Sequence, residues 1–481
     1  MSGAAPLRGR PGLIQLELTM CTGSFAMMQA VVVPALPDIQ GDLDTTVGWA
    51  GWTVTIYLLS ASVATPLLGK LGDQFGKDRM LLITMAVFVV GSVASIFAWD
   101  IWSLIVFRAM QGMGGAAYPL SFSIMRDEMP PEKVGVTMGL VSSTLGVGGG
   151  LGLVMSGLIV DHASWRWLMV VGLAVGATAL ALTAAFVPRS KRHGTAVLDI
   201  PGAVLLSAGL VAVLVALTQS NAWGWTSART LGLIAAGLVV LVVWVLVELR
   251  VKAPMVDMRM MTRRAVLLTN LAALFCGFMM YAVFTVLPQF SQMGAGLPPH
   301  LAELVTYGFA ASVTMSAVYM LPGALAMVPL GPLGGVIGRA TSFRFALVLG
   351  LLLSALGCAL LALLHASPWQ VMVFYAVGAG GVAIAFAAMP KLITDAVDLS
   401  ETGIATGMNT VVRTLGSTIG AQVAITLVAG NLIPGTSIPA ESGFVTSLWL
   451  GGAAALIGAL IALGIPSGRR RARIATVAGD A

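Results

Sequence analysis

Apolar residues run along this chain in long unbroken blocks, without the alternation of a half-buried strand or the one-sided stripe of a surface helix. Fourteen blocks come close to the length needed to cross a bilayer as a helix, about 20 residues. They are 14–36, 47–69, 80–98, 102–124, 135–159, 166–187, 201–218, 230–249, 266–290, 310–332, 343–364, 370–390, 404–429 and 445–465. Short stretches rich in Gly, Pro and charge separate them. The longest polar connections lie near 189–199, 250–264, 291–309 and 431–444, and none is large enough for a soluble domain. The pattern predicts an all-α integral membrane protein with fourteen spans.

Composition agrees. Of 481 residues, 58% are hydrophobic and 10% charged, against about a quarter charged in a soluble domain. The 57 glycines suit helices that approach closely in lipid, where small residues let backbones touch. Cys21, Cys276 and Cys358 fall in three different blocks, with no metal or disulfide spacing, and read as buried small hydrophobes. No cleavable signal peptide is expected, because the first block is too long for one. No cofactor and no metal site is expected.

An even span count places both termini on one side. Lys and Arg collect on the cytoplasmic side of membrane proteins. With a cytoplasmic N-terminus, twenty-two of the 26 basic residues fall inside, and only Arg166 and Arg229 fall outside. Arg108 and Arg413 lie within blocks. The net charge of +6 is then an inside anchor, as in the tail "GRRRAR", and implies no nucleic-acid partner. The partners this leaves are the lipid bilayer and small molecules.

One connection is unusual. "GKLGDQFGKDR", 69–79, packs five charges and three glycines between two blocks. A basic inner turn explains Lys70, Lys77 and Arg79. It does not explain Asp73, or glycines at 69, 72 and 76. A carboxylate at a helix end can accept hydrogen bonds from free N–H groups or pair with an arginine on a neighbouring helix, which makes a latch of Gly69, Asp73, Gly76, Lys77 and Arg79. The spacing recurs at 331–339, "GPLGGVIGR", with Gly335 in the carboxylate position. Repeated halves of this kind are typical of transporters.

These residues resemble the major facilitator superfamily, and within it the 14-helix drug:proton antiporter branch. The 69–79 stretch is similar to that superfamily's signature between helices 2 and 3. "RAMQGMGGA", 108–116, resembles its helix-4 motif, with Arg108 as the membrane-embedded arginine. "SWRW", 164–167, and "NTVVRTLGSTIG", 409–420, resemble features of the 14-helix branch. The resemblance covers nearly the whole chain. It implies two six-helix bundles, 14–188 and 266–466, around a central cavity, with helices 7 and 8 inserted at 189–265. The ends, 1–13 and 467–481, would be cytoplasmic. It implies alternating access, a monomer, a bacterial inner-membrane location, and proton exchange with Arg108 in the coupling machinery.

The sequence departs from that branch in three places. The helix-1 Asp position reads Met28, beside Gln29, in "MMQAVVVPALP". The helix-5 motif keeps Gly148, Gly152 and Gly157, but Leu153 and Ser156 replace its Pro and a Gly. Gln74 replaces the Arg after the signature Asp, and Asp78 stands where a base is common. The first departure matters most. Proton exchange needs a group that gains and loses a proton in each cycle, and a desolvated carboxylate does this near neutral pH. Of 20 acidic residues only Glu17 lies within a span, with Asp38 at the outer end of that helix. Glu17, Asp38 and Arg108 are the coupling candidates.

Charges as deep as Arg108 and Arg413 cost at least about 2.5–3.5 kcal/mol unless paired or solvated. A cavity with two cations and few fixed anions favours an anionic or zwitterionic substrate. Candidate cavity residues are Gln29, Tyr57, Gln111, Asn270, Tyr281, Asn409 and Arg413, with Tyr118, Phe275, Phe284 and Gln422 beside them. No G-x-x-x-x-G-K-[ST] loop suggests an ATP-driven pump, and too few His, Asp and Glu share a depth for a membrane enzyme. Drug or antibiotic efflux is the leading function. Export of an endogenous metabolite or lipid with atypical coupling, and proton-coupled import, stay open.

Overall fold

The computed structural model describes residues 11–45, 47–160, 162–187, 199–251, 254–294, 304–436 and 438–466. The basic tail at 467–481, most of the 1–13 terminus and the 189–198 linker lie outside the described residues.

Among the described residues fourteen long rods carry the fold, with short helices at Leu36–Asp42 and Met258–Thr262 between them. The rods are α1 (Pro11–Ala30), α2 (Val47–Phe75), α3 (Lys77–Ile96), α4 (Ile101–Gly112 and Ala117–Glu128), α5 (Pro131–Val160), α6 (Arg166–Phe186) and α7 (Ile200–Trp223). There follow α8 (Ala228–Glu248), α9 (Arg264–Gln292), α10 (Val313–Ala340), α11 (Phe343–Leu363), α12 (Pro368–Thr394), α13 (Thr402–Gly430) and α14 (Glu441–Leu463). Beyond a single bridge between Leu432 and Pro439, the described residues hold no strand.

Twelve of these helices are long and apolar enough to cross a membrane by length and composition. The other two expected spans fall short for different reasons. α1 carries Gln15, Glu17, Thr19, Thr22, Ser24 and Gln29 in 20 residues. α4 is broken by a 3-10 turn, Met113–Ala116, within the glycine run of "RAMQGMGGA". The first block was also expected to run to 36. The helix stops at Ala30, and a separate short helix, Leu36–Asp42, follows, because Pro34 and Pro37 deny it two backbone donors.

The charged knot is not a loop. α2 continues through it to Phe75, α3 starts at Lys77, and Gly76 alone joins them at φ 110°, a left-handed conformation that favours glycine. The echo at 331–339 is likewise helical, inside α10.

Side chains between Ile14 and Val187 form one apolar core. Side chains mainly between Ala265 and Ile465 form a second. A third joins Leu206 and Leu210 of α7 and Trp244 of α8 to Ile404 and Met408 of α13. α7 packs on both α2 and α13, across the seam between the first two cores.

Candidate functional site

At the end of the molecule that holds Gly76, α2 and α13 touch backbone to backbone. A methyl group on Gly69 would stand 2.7 Å from the Gly403 carbonyl oxygen. The Asp73 carboxylate, 4% exposed, accepts hydrogen bonds from Gly403 N–H (2.9 and 3.2 Å) and Ile404 N–H (3.1 Å). These are the first turn of α13, where N–H groups lack helical partners and the helix dipole favours negative charge. Of the two latch geometries open in the sequence, the carboxylate makes the backbone one. Lys77 pairs with Asp127 at 2.6 Å, and Arg79 is exposed.

Arg126, which reads in the sequence as one more inner charge, binds the same place. It donates to the Val397 carbonyl (2.9 Å), the Asp398 carbonyl (3.2 Å) and the Thr402 hydroxyl. On the other side of the molecule Gly135 and Gly139 of α5 lie against Gly335 and Gly331 of α10. The Gly135 carbonyl occupies the space a side chain at 335 would need, which explains why the echo lacks a carboxylate. Above this end α5 stays on α10 as far as Gly157 and Thr314, while Gly148 and Gly152 lie against Ala26 and Met27 of α1.

Arg108 is wholly enclosed. Its guanidinium donates to the Thr53 carbonyl (3.2 Å), the Met28 carbonyl (3.2 Å) and Gln111 Oε1 (2.8 Å), and it lies 4.2 Å over the Tyr57 ring. Gln111 is held in turn by Ser92, and Tyr57 donates to the Phe25 carbonyl. At the departed helix-1 position it is thus the main chain of Met28 that serves this arginine, while the Met28 side chain packs on Gly172.

Glu17 is also enclosed, at 0% exposure. One carboxylate oxygen accepts from the Thr183 hydroxyl of α6 (2.5 Å) and the Cys21 thiol (3.0 Å). The other has no hydrogen-bond partner among the described residues. Asp38 is exposed on the short helix Leu36–Asp42. Beside it Asp42 accepts from Arg166 and Trp165, which holds its carboxyl below the usual value. These two donors belong to "SWRW".

A two-lobed cavity lies between the cores. α2 and α13 are in contact as far as Thr65 and Gly407. Beyond that they line the first lobe, about 190 Å³ of water-accessible space, together with Leu214 and Thr218 of α7. Thr55, Ser62, Thr410, Thr414, Ser417 and Thr418 line it, each hydroxyl donating to the carbonyl four residues earlier in its own helix. The second lobe, about 110 Å³, is apolar, with Met279, Met280, Met327, Phe284 and Tyr375 in its walls. Gln29 and Tyr281, hydrogen-bonded to each other, border both lobes.

Of the sequence candidates, Gln29, Tyr118, Tyr281, Phe284, Arg413 and Gln422 line this cavity. Tyr57 and Gln111 belong to the Arg108 cluster. Asn270 and Asn409 bond each other at 2.8 Å between α9 and α13, and Phe275 packs into the second core; none of these five lines either lobe. The hydroxyl row on α2 and α13 escaped the sequence reading, although its spacing of three and four along α13 was there to be seen.

An all-helical membrane protein whose central cavity is walled by two packed cores, and closed at one end by contacts between them, is a transporter in form. The comparisons with known proteins agree. The family model of the Major Facilitator Superfamily matches residues 18–421, and the chain belongs to that family. "Multidrug resistance protein 3" of Bacillus subtilis is 27% identical over 404 residues, covering 83% of this chain and 76% of that protein. The "Tetracenomycin C resistance and export protein" of Streptomyces glaucescens is 27% identical over 447 residues, covering 89% and 78%. The solved structure of the proton:xylose symporter XylE has the same fold, with a TM-score of 0.62, 13% identity, and 95% and 96% of the two chains covered. The chain is a multi-pass membrane transporter.

Proposed function

We propose that this transporter exports drugs or antibiotics by alternating access, in exchange for protons. The observation that carries the reading is the cavity between the two cores, lined by Thr and Ser residues of α2 and α13 and bounded at the Gly76 end by the contacts of Asp73 and Arg126. The positive-inside bias makes the Gly76 end cytoplasmic, with both termini on that side. Counting α1 and α4 with the twelve apolar helices gives fourteen spans. α1–α6 and α9–α14 are then the two six-helix halves, and α7–α8 the inserted pair. The relatives named for multidrug resistance and for tetracenomycin C export support efflux over import.

Glu17 is the proton carrier in this reading. It is buried, it lies on α1, which also lines the cavity through Phe25 and Gln29, and among the described residues no cation neutralises it. A carboxylic acid in such a place can sit in the membrane uncharged and lose its proton when water reaches it. Asp38, at the outer surface, and Arg108, saturated by acceptors, suit the role less well.

The test is proton flux in inside-out vesicles with an acidified lumen. Adding drugs from a cationic, zwitterionic and anionic panel should discharge the gradient with the wild-type protein and not with empty vesicles. Glu17→Gln should abolish the discharge while labelled drug still binds. Drug transport by Glu17→Gln at the wild-type rate would remove Glu17 from the coupling. An endogenous metabolite or lipid as cargo is the second reading, favoured by the replacement of the branch's helix-1 Asp by Met28. No drug in the panel would then discharge the gradient.

A further inference from the structure

The two membrane arginines look alike in the sequence and part company in the fold. Arg108 has three acceptors and no access to the cavity. Arg413 lines the first lobe, yet its guanidinium makes no hydrogen bond and no ion pair with any described residue. It lies over the Phe386 ring at 4.6 Å, with the neutral Tyr118, Cys276 and Tyr281 as its electrostatic neighbours. No Asp, Glu, Lys or His borders either lobe, so Arg413 is the only charge in the walls of the described cavity. A guanidinium kept partly desolvated and without an acceptor loses several charge-assisted bonds that an incoming anion can supply. The second lobe, met at Tyr281 and Gln29, offers thioether and aromatic surface and no charge, suited to an irregular apolar body. Neither lobe alone has the volume usual for a drug-sized ligand, about 300 Å³ or more, but one molecule can span both.

We infer that the ligand of this cavity is an amphipathic organic anion, its carboxylate, sulfonate or phosphate on Arg413 and its apolar body in the methionine lobe. This rests on the reading of the cavity as the transport site. It narrows the cargo to a charge class: the cavity discriminates against lipophilic cations, which would meet Arg413 unscreened.

Binding to purified protein in phosphatidylcholine nanodiscs tests it. The probes are a radiolabelled naphthalenesulfonate and the matching neutral naphthalenesulfonamide. Wild type should bind the sulfonate at least about tenfold more tightly, the scale of one hydrogen bond to a charged group. Arg413→Gln should erase that preference and leave sulfonamide binding within about twofold, and Arg413→Lys should restore part of it. Displacement of the sulfonate by phosphatidylglycerol, in wild type alone, would identify the anion as a lipid's. Displacement by chloride alone, with no gain from the apolar body, would overturn the inference, as would equal binding of sulfonate and sulfonamide by wild type. That last comparison needs no variant, so it stands even if Arg413→Gln does not fold. Transport of cationic or neutral dyes in the vesicle experiment, alongside equal probe binding, would sink the charge preference and leave efflux in place. Transport of nothing at all would sink efflux itself.

Discussion

Asp73→Asn is expected to cut transport at least about tenfold while leaving the protein inserted and folded. The carboxylate accepts three hydrogen bonds from two N–H groups at the start of α13. An amide in its place keeps one oxygen and turns an NH₂ group toward donors, and it gives up the charge that the helix dipole favours. Each hydrogen bond to a charged group contributes about 1.5–3 kcal/mol. Losing one of them shifts the balance between closed and open at the Gly76 end by about ten- to a hundredfold. A transporter that cannot populate one of its two states cycles slowly however well it binds. Asp73→Glu should fail too, since the carboxylate lies tight against the Gly403 backbone, where even a methyl group on Gly403 would stand 2.9 Å from its oxygens. The measurement is labelled-substrate efflux against surface-normalised protein, with cysteine accessibility from the Gly76 side as the readout of closure. Wild-type efflux by Asp73→Asn would reduce the 69–79 stretch to a basic helix end.

The second large effect belongs to Arg108, and it is one of stability. Arg108→Ala should destabilise the protein by at least about 3 kcal/mol, because the Thr53 and Met28 carbonyls and Gln111 Oε1 lose a charged donor inside a closed apolar core, and a cavity opens over Tyr57. Arg413→Ala should change stability much less, since the stacking on Phe386 is lost but no hydrogen bond to a described residue is. The protein carries its own reporter. All three thiols, Cys21, Cys276 and Cys358, are free and buried, so a dye that fluoresces on reacting with thiols follows unfolding directly. Equal melting temperatures for the two alanine variants would mean that Arg108 is not the cross-brace its three acceptors imply.

The helices were legible in the sequence because lipid removes the ambiguity: a long apolar block has no other way to satisfy its backbone. Their ends were less so. Gly76 turns the chain in a single residue, so that a stretch dense with polar residues reads as a loop and folds as the last turns of one helix and the first of the next. Pro34 was visible, but its power to end α1 at Ala30 had to compete with an apolar run that continued past it. Arg108 and Arg413 could not be told apart by depth or by neighbours in the chain. Gln111, one helical turn from Arg108, supplies one acceptor, but the other two come from residues 55 and 80 positions away, and no spacing encodes that. Asp73 stands out in the sequence as unexplained by charge alone, yet its partners are 330 positions downstream and more. Arg126 went unremarked, since its chemistry is identical to that of any inner arginine until Thr402 is placed beside it.

The closed end joins glycine to glycine at Gly69–Gly403, Gly139–Gly331 and Gly135–Gly335. Such a joint has no side chains to freeze, and immobilising a flexible side chain typically costs about 0.5–1.5 kcal/mol. Closing this end therefore forfeits little disorder, and opening it recovers little. The two states can lie near each other in free energy without the compensating burial that a joint of leucines would demand. They can also interconvert without any search through rotamers. On the proposed alternating-access cycle, a surface made of bare backbone would tolerate being parted and rejoined at every turnover, leaving the decision between open and shut to the few groups that carry charge.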